Sequence, residues 1–305
     1  MALPFDALRT FLVLGQARSF SAAARELGVS QPWVSQRVAQ LESYLGRKRR
    51  AGPVLLVERR RRGITLTPEG QLLCDLATEP LRALEAVEEA LEARHGAITG
   101  RVVIAASSTM LLYLVPAAIR RFRAAYPQVR LETCATNSPS MVKQVLEDQV
   151  DFALGDPGES LPPGLRVEVV RSCDRVLVAP AGDPVLHLKG PLHAAQLRDH
   201  DWIVLGSFSV TRRKLDQLLG HYPIAMEVEH WEVMKAYIAL GVGIGLMPDL
   251  CILPKDRAQL GTTALGKEFG RSYFSMVLRK NKVLSPACLA LIEAISPAIA
   301  GRLRR

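Results

Sequence analysis

"FSAAARELGVSQPWVSQRVAQLE", residues 20–42, is the stretch on which the N-terminal part of the chain turns. Ala23, Ala24, Leu27 and Val29 keep a helical spacing before the turn, and Val34, Val38 and Leu41 resume it afterwards. Gly28 supplies a tight turn, Ser30 can cap a second helix, and Pro32 falls in that helix's first turn, where a missing N–H costs nothing. Two short amphipathic helices joined in this way make a helix-turn-helix. The second helix is expected to expose Gln31, Ser35, Gln36 and Arg37, polar groups of the kind that read base edges.

Upstream, Phe5 to Ala17 reads as a further helix with Leu8, Phe11, Leu12 and Gly15 turned inward. Downstream comes "GRKRRAGPVLLVERRRRGITLTPEG", residues 46–70. Two clusters of four cations flank an apolar run, and strands are expected at Val54 to Val57 and Ile64 to Leu66. The pair forms a wing whose basic tip, Arg59, Arg60, Arg61 and Arg62, neutralises phosphates without reading sequence; the alternative is a solvated charged loop. Thr67-Pro68-Glu69 is a helix start. From there to about Arg94, Leu72, Leu73, Leu76, Leu84, Val87 and Leu91 recur at roughly heptad spacing. That face either pairs with a second copy or packs on its own domain, and Pro80 is expected to kink or break the helix near Glu79.

The net charge of +9 is unevenly placed. Residues 1–66 hold 12 Lys/Arg against 4 Asp/Glu, whereas residues 67–99 hold 2 against 7. The basic surplus therefore lies in the segment that reads as a DNA-binding fold, as a polyanionic partner requires. "HGAITGR" (95–101) is a small-residue hinge, after which strands and helices alternate. "RVVIAAS", "VRLETCA" and "DFALGD" are strands separated by helices, an order that implies parallel strands with crossover connections. A second set runs from "DRVLVAP" (174–180) through "WIVLG", the helix "TRRKLDQLLG" and "WEVMKAYIALGVGIGLMP" (231–248). Strand "YFSMVLRK" and helix "PACLALIEAISPAIAGRLR" close the chain. Two α/β lobes with a cleft at the carboxyl ends of their strands form a small-ligand architecture.

Other classes are disfavoured. The five cysteines are scattered without a C-x-x-C pair, so reduced, buried thiols in a cytoplasmic protein are expected, a redox-sensing thiol being the alternative. No apolar run approaches about 20 residues, and no signal-peptide pattern appears. The six histidines lack metal-ligand spacing, and no H-E-x-x-H, G-x-S-x-G or Walker loop is present. "GVGIGLMP" follows a helix and reads as a helix end running into a strand, so neither an enzyme nor a bound cofactor is expected.

The motif SFSAAARELGVSQPWVSQRVAQLESYLG (19–46), with the domain order that follows it, resembles the LysR-type transcriptional regulators over the whole chain. That resemblance implies a fold of the α/β class with an all-α/winged N-terminal domain. A winged helix-turn-helix (1–66) is followed by a linker and dimerisation helix (67–95) and an effector domain (96–305) resembling periplasmic binding proteins. Lobe I takes residues 100–173 and 268–305, and lobe II residues 174–267. The implied partners are double-stranded DNA, a small-molecule effector and further copies of the chain as a dimer of dimers, with no membrane. A ligand-independent architectural DNA-binding protein is the alternative, and the two-lobed domain argues against it.

The family's base-contacting positions fall on Gln31, Pro32, Ser35 and Gln36, with Ser30 as cap. Arg stands one position later than usual, at Arg37, about 100° further round the helix and directed towards phosphate. Arg47 to Pro53 is an insertion relative to the family's wing. "IAASSTMLLYLVP" and "MKAYIALGVGIGLM" are most similar to the CysB-like branch. Its pocket of hydroxyls and backbone N–H groups implies Ser107 and Thr109 as effector contacts, ordinary helix capping being the other role open to them. Ser209 and Thr211 are the candidates from lobe II, and Trp231 either lines the pocket or packs beneath it. Asp156 stands where that branch places Thr. Facing the cleft it favours a zwitterionic, amino-acid-like effector over a bare anion; otherwise it turns outward or pairs with an Arg.

Overall fold

The computed structural model describes residues 3–48, 54–60, 63–94, 98–158 and 161–304. The chain divides into two compact units, residues 1–88 and 89–305.

In the first unit α1 (Phe5–Ala17), α2 (Phe20–Leu27) and α3 (Gln31–Lys48) precede a hairpin of β1 (Val57–Arg60) and β2 (Gly63–Leu66), and α4 (Pro68–Arg94) follows. Leu8, Phe11 and Leu14 of α1, Ala23 and Ala24 of α2, and Val34, Val38 and Leu41 of α3 close one core. This is the helical spacing of the sequence realised in packing. Gly28 ends α2 at φ 68°, a left-handed conformation in which a side chain would be strained. The first wing strand begins at Val57 rather than Val54. Val54 and Leu56 are buried in the three-helix core, and the Leu56 N–H is held by the Glu42 carboxylate at 2.7 Å, so this run is a strap rather than a strand. The hairpin instead pairs the charged residues: Glu58 lies opposite Thr65 and Arg59 opposite Ile64.

Thr67 caps α4 as expected, its hydroxyl accepting from the Gly70 N–H at 3.0 Å. The helix is not broken at Pro80 but runs as one element from Pro68 to Arg94. Proline forfeits a single N–H bond, and the turns on either side carry the helix through. The reading that its apolar face packs on its own domain holds for part of that face. Leu73 and Ala77 pack on the three-helix core, while Leu72, Leu76, Leu84, Val87 and Leu91 form an exposed stripe.

In the second unit β3 (Arg101–Ala106) leads through a π-helical turn, Met110–Leu114, into α5 (Pro116–Ala125); β4 (Arg130–Ala135), α6 (Ser138–Leu146) and β5 (Phe152–Gly155) follow. β3 pairs in parallel with both β4 and β5, the crossover arrangement that the alternation of elements required. Next comes β6 (Leu165–Pro180), a 16-residue strand of which only the second half stands out in the sequence. Then follow α7 (Ala194–Leu197), β7 (Trp202–Leu205), α8 (Val210–Leu219), β8 (Ile224–Val228), α9 (Trp231–Ala239), β9 (Gly245–Pro248) and β10 (Leu260–Ala264). The chain returns through β11 (Arg271–Arg279) to α10 (Pro286–Ile295) and α11 (Pro297–Leu303). The single C-terminal helix read from the sequence is thus two, separated at extended Ser296, because Pro297 cannot continue the α10 ladder.

β6 and β11 join the lobes. The first half of β6 pairs with β11, which pairs with β5 and completes the sheet of lobe I. Its second half, from Arg175 onward, pairs instead with β9 and β10 in lobe II. Both α5 and α10 cover the lobe I core of Ile104, Phe122, Phe152 and Met276. Around Trp202 and Leu215, and around Met234 and Met247, lobe II closes two further cores.

Candidate functional site

In the first unit, α3 presents Gln31, Pro32 and Gln36 to solvent, while Ser35 and Arg37 are half-buried. Ser30 lies just before it, with the Trp33 N–H 3.4 Å from its hydroxyl. The Arg37 guanidinium sits 4.9 Å over the Trp33 ring and donates to Gln40 Oε1 at 3.0 Å, which holds it along the helix. Arg59 connects the wing to this helix: it packs 4.9 Å over Phe20 and donates to Ser35 Oγ at 3.3 Å. Arg60 is tied to Glu58 at 2.6 Å, so its charge is partly offset. Arg61 and Arg62 lie outside the described residues.

In the second unit the strand ends and helix starts of both lobes border one cleft of 490 Å³. All six residues expected there line it: Ser107, Thr109 and Asp156 from lobe I, and Ser209, Thr211 and Trp231 from lobe II. Ser107 follows β3, its N–H bonded to Leu154 O, and its hydroxyl lies 3.4 Å from the Met110 N–H. It therefore caps and borders the cleft at once. A Cβ at Gly155 would sit 3.1 Å from Met141 Sδ and 3.4 Å from the Ser107 Cβ, so glycine there lets these elements close up at the cleft. Ser209 caps α8 with its oxygen 3.5 Å from the Arg212 N–H.

The Trp231 indole N–H donates to Thr109 Oγ1 at 2.8 Å, with both residues buried, so the aromatic ring packs in lobe II and also reaches across to lobe I. Thr109 keeps its O–H as a donor. Asp156 does not turn outward. It lines the cleft and accepts from the Gly158 N–H at 3.0 Å. Behind it Arg175 is buried, donating to Phe269 O at 2.8 Å; burial draws that guanidinium's pKa down, and the Asp156 carboxylate opposes the shift.

Several cleft residues carried no reading at the sequence level. Asn137 caps α6, accepting from the Ser140 N–H at 3.1 Å, and a cap signal, Asn137-Ser-Pro, was present to find it. Gln144, one turn further along, and Ser272, on the returning strand β11, had no such signal. Phe208 and Phe274 give the cleft apolar walls. Among the described residues its lining holds the carboxylates Asp156 and Glu229 but no Lys or Arg.

A second contact between the lobes lies beside the cleft. The Tyr113 hydroxyl, in the π-helical turn of lobe I, donates to Glu232 of α9. Lys235, one turn on and only 4% exposed, reaches Glu232 at 2.8 Å, Asp256 at 2.7 Å and the Cys251 carbonyl at 3.1 Å.

Residues 5–71 match the family described as bacterial regulatory helix-turn-helix protein, lysR family, and residues 95–300 match the LysR substrate binding domain. The chain belongs to the LysR family. It is a DNA-binding transcriptional regulator with an effector-binding domain. Among its relatives, the LysR-type regulator CysB of Burkholderia cenocepacia is 26% identical over 285 residues, covering 92% of this chain and 89% of that protein. This accords with the CysB-like character of the effector domain. Full-length OxyR C199D from Pseudomonas aeruginosa superposes with a TM-score of 0.75 at 19% identity, over 97% of this chain and 95% of that one. CbnR complexed with its target DNA gives 0.58 at 20% identity, over 96% and 99%. These structures share the fold of this LysR regulator.

Proposed function

We propose that this LysR regulator reads its operator through α3 and the wing and changes state when an effector enters the lobe I–lobe II cleft. It acts by binding rather than catalysis, in the cytoplasm. The working division is a DNA-binding domain over residues 1–66, a linker over 67–95 and an effector domain over 96–305. Gln31, Pro32, Ser35 and Gln36 meet base edges, while Ser30, Arg37 and the wing arginines Arg59 to Arg62 hold phosphates. The exposed Leu72, Leu76, Leu84, Val87 and Leu91 stripe pairs with its counterpart in a second copy, and two such dimers assemble into a tetramer.

The observation that carries the effector reading is the Trp231–Thr109 hydrogen bond spanning the 490 Å³ cleft. A ligand held by Ser107, Thr109 and Asp156 on one side and by Ser209, Thr211 and Trp231 on the other stabilises the lobe arrangement that this bond belongs to, a population shift. Thr109→Val tests it: the effector response is expected to disappear while operator affinity without effector stays unchanged. A normal response from that variant removes Thr109 from the site. Deleting Arg47 to Pro53 tests the basic insertion, with a shallower salt dependence of operator binding expected. An unchanged slope assigns the insertion no phosphate contact.

A further inference from the structure

Two polar atoms at the cleft are buried with no partner: the Gln144 amide oxygen and the Ser272 hydroxyl oxygen. Ser272 as a whole is only 3% exposed. An acceptor left in this state costs free energy until a donor arrives, and buried polar groups are otherwise almost always satisfied. Both atoms belong to the lobe I side, Gln144 on α6 and Ser272 on the crossing strand β11, and both border the same cleft as the Asp156 carboxylate. This side therefore offers two acceptor-only groups, the Gln144 amide oxygen and the charged Asp156 carboxylate, and a Ser272 hydroxyl that can accept as well as donate, which together suit a ligand group rich in N–H donors.

The lobe II side adds N–H donors, beside the Glu229 carboxylate. The starts of α8 and α9 face the cleft through Ser209 to Thr211 and His230 to Trp231. The first intrahelical N–H bond of α8 is Arg213 to Ser209 O, and that of α9 is Met234 to His230 O, so the N–H groups before them point out of the helix ends. Each helix start carries about half a positive charge, which suits a carboxylate. Among the described residues the lining holds no Lys or Arg, and a bare multivalent anion meets a carboxylate on each wall, Asp156 in lobe I and Glu229 in lobe II. A simple cation meets the two helix starts of lobe II.

We propose that the effector of this cleft is a small zwitterion of the α-amino-acid type, its ammonium on Gln144, Asp156 and Ser272 and its carboxylate on the starts of α8 and α9. The claim rests on the effector reading above and adds the ligand's chemical class and direction. Because the two charged ends contact different lobes, neither an amine nor an acid alone bridges them.

The test is a thermal-shift and titration series on the full chain with the twenty L-amino acids. For each one that shifts the melt, its N-acetyl and its carboxamide forms follow. At least one free amino acid is expected to bind, and blocking either end is expected to weaken it by about 10- to 100-fold, the worth of a charged hydrogen bond. Asp156→Asn, which keeps the acceptor for the Gly158 N–H, is expected to erase the difference between the free and N-acetyl forms. Ser272→Ala, a smaller change, is expected to weaken the free form alone. No shift with any amino acid overturns the proposal. An N-acetyl form or simple carboxylate that binds as tightly as its parent, unaffected by Asp156→Asn, overturns the zwitterion while keeping the cleft as effector site. Binding that survives Thr109→Val, Asp156→Asn and Ser272→Ala alike lies elsewhere, and then the cleft reading itself fails.

Discussion

Replacing Lys235 with methionine keeps most of the side-chain volume and removes one buried charge. In the native protein that ammonium is shared by Asp256 at 2.7 Å and Glu232 at 2.8 Å, and it lies 5.4 Å from the centre of the Tyr113 ring. Asp256 is the partner that suffers most, since its side chain is only 11% exposed. Stranding a buried charge by deleting its partner typically costs about 3–5 kcal/mol. For a unit of roughly 200 residues, each kcal/mol moves the melting midpoint by about 2–4 °C. Lys235→Met is therefore expected to lower the midpoint of the effector unit by about 6–20 °C, followed by the fluorescence of Trp202 and Trp231. Adding Asp256→Leu is expected to recover most of the loss, because the stranded carboxylate goes with it.

The pH dependence adds a second check. Burial, the largest single influence, pushes the Asp256 and Glu232 carboxyls up, but the Lys235 hydrogen bonds together with those from the Leu253 N–H to Asp256 and the Tyr113 hydroxyl to Glu232, and the charges of Lys235 and Lys255, hold both below their usual range. Burial, the largest single influence, draws Lys235 down, and its hydrogen bonds to Asp256 and Glu232 together with the charges of both carboxylates raise it. Carboxyls with lowered pKa contribute stability that is present above their unfolded values of 3.8 and 4.5 and is lost as acid protonates the folded form. The lysine's contribution is complete below its unfolded value of 10.5 and fades as alkali passes its raised folded value. The network's contribution should thus be flat between about pH 5 and 10 and fall outside that window. A shift under 3 °C for Lys235→Met, or a double variant no more stable than the single one, would refute the argument.

Three other outcomes are expected. If the exposed Arg59 holds phosphate as proposed, Arg59→Ala should weaken operator binding on every sequence and reduce the salt slope by about one, read by fluorescence anisotropy at several salt concentrations. An unchanged slope excludes a phosphate contact. Leu84→Glu in the exposed stripe of α4 should dissociate the dimer in sedimentation at micromolar concentration, whereas Leu73→Ala should instead lower the melting point of the DNA-binding unit, because Leu73 packs on its core. Burial pushes the Cys74 and Cys173 thiols up to about 11 and Cys251 further still, while Cys134 is exposed. Iodoacetamide at pH 7.5 should label Cys134 well before Cys74, Cys173 and Cys251, because the thiolate is the reactive form. Rapid labelling of Cys173 would contradict this.

What could be read in the chain beforehand follows from how each element is stabilised. The helix Phe5–Ala17 was legible to the residue because one face is apolar and the other meets water. Strand β1 was misplaced because the usual cue, an apolar run, belonged to a strap that buries Val54 and Leu56, while the paired strand carries Glu58, Arg59 and Arg60 in solvent. The first half of β6 escaped notice for a related reason: Val169 is exposed, and the alternation that marks a half-buried strand is blurred there. At the cleft, Ser107, Thr109, Ser209 and Thr211 were reached through the resemblance to the CysB-like branch, since hydroxyls beside strand ends and helix starts keep their place in the motif. Gln144 and Ser272 were not, since their positions depend on a helix turn and a returning strand far apart in sequence. Nor could any spacing reveal that Tyr113 meets Glu232, a pair 119 residues apart.

The passage of β6 through both lobes also constrains how they move. A flexible loop connecting two bodies permits wide opening, but here the crossing at Arg175 sits inside a strand whose amide groups pair with β11 on one side and with β9 and β10 on the other. Opening the cleft must therefore twist a hydrogen-bonded ribbon rather than swing a tether. The amides flanking Arg175 should accordingly exchange with deuterium as slowly as those of the lobe cores, so that a modest rotation, elastically opposed, carries the signal.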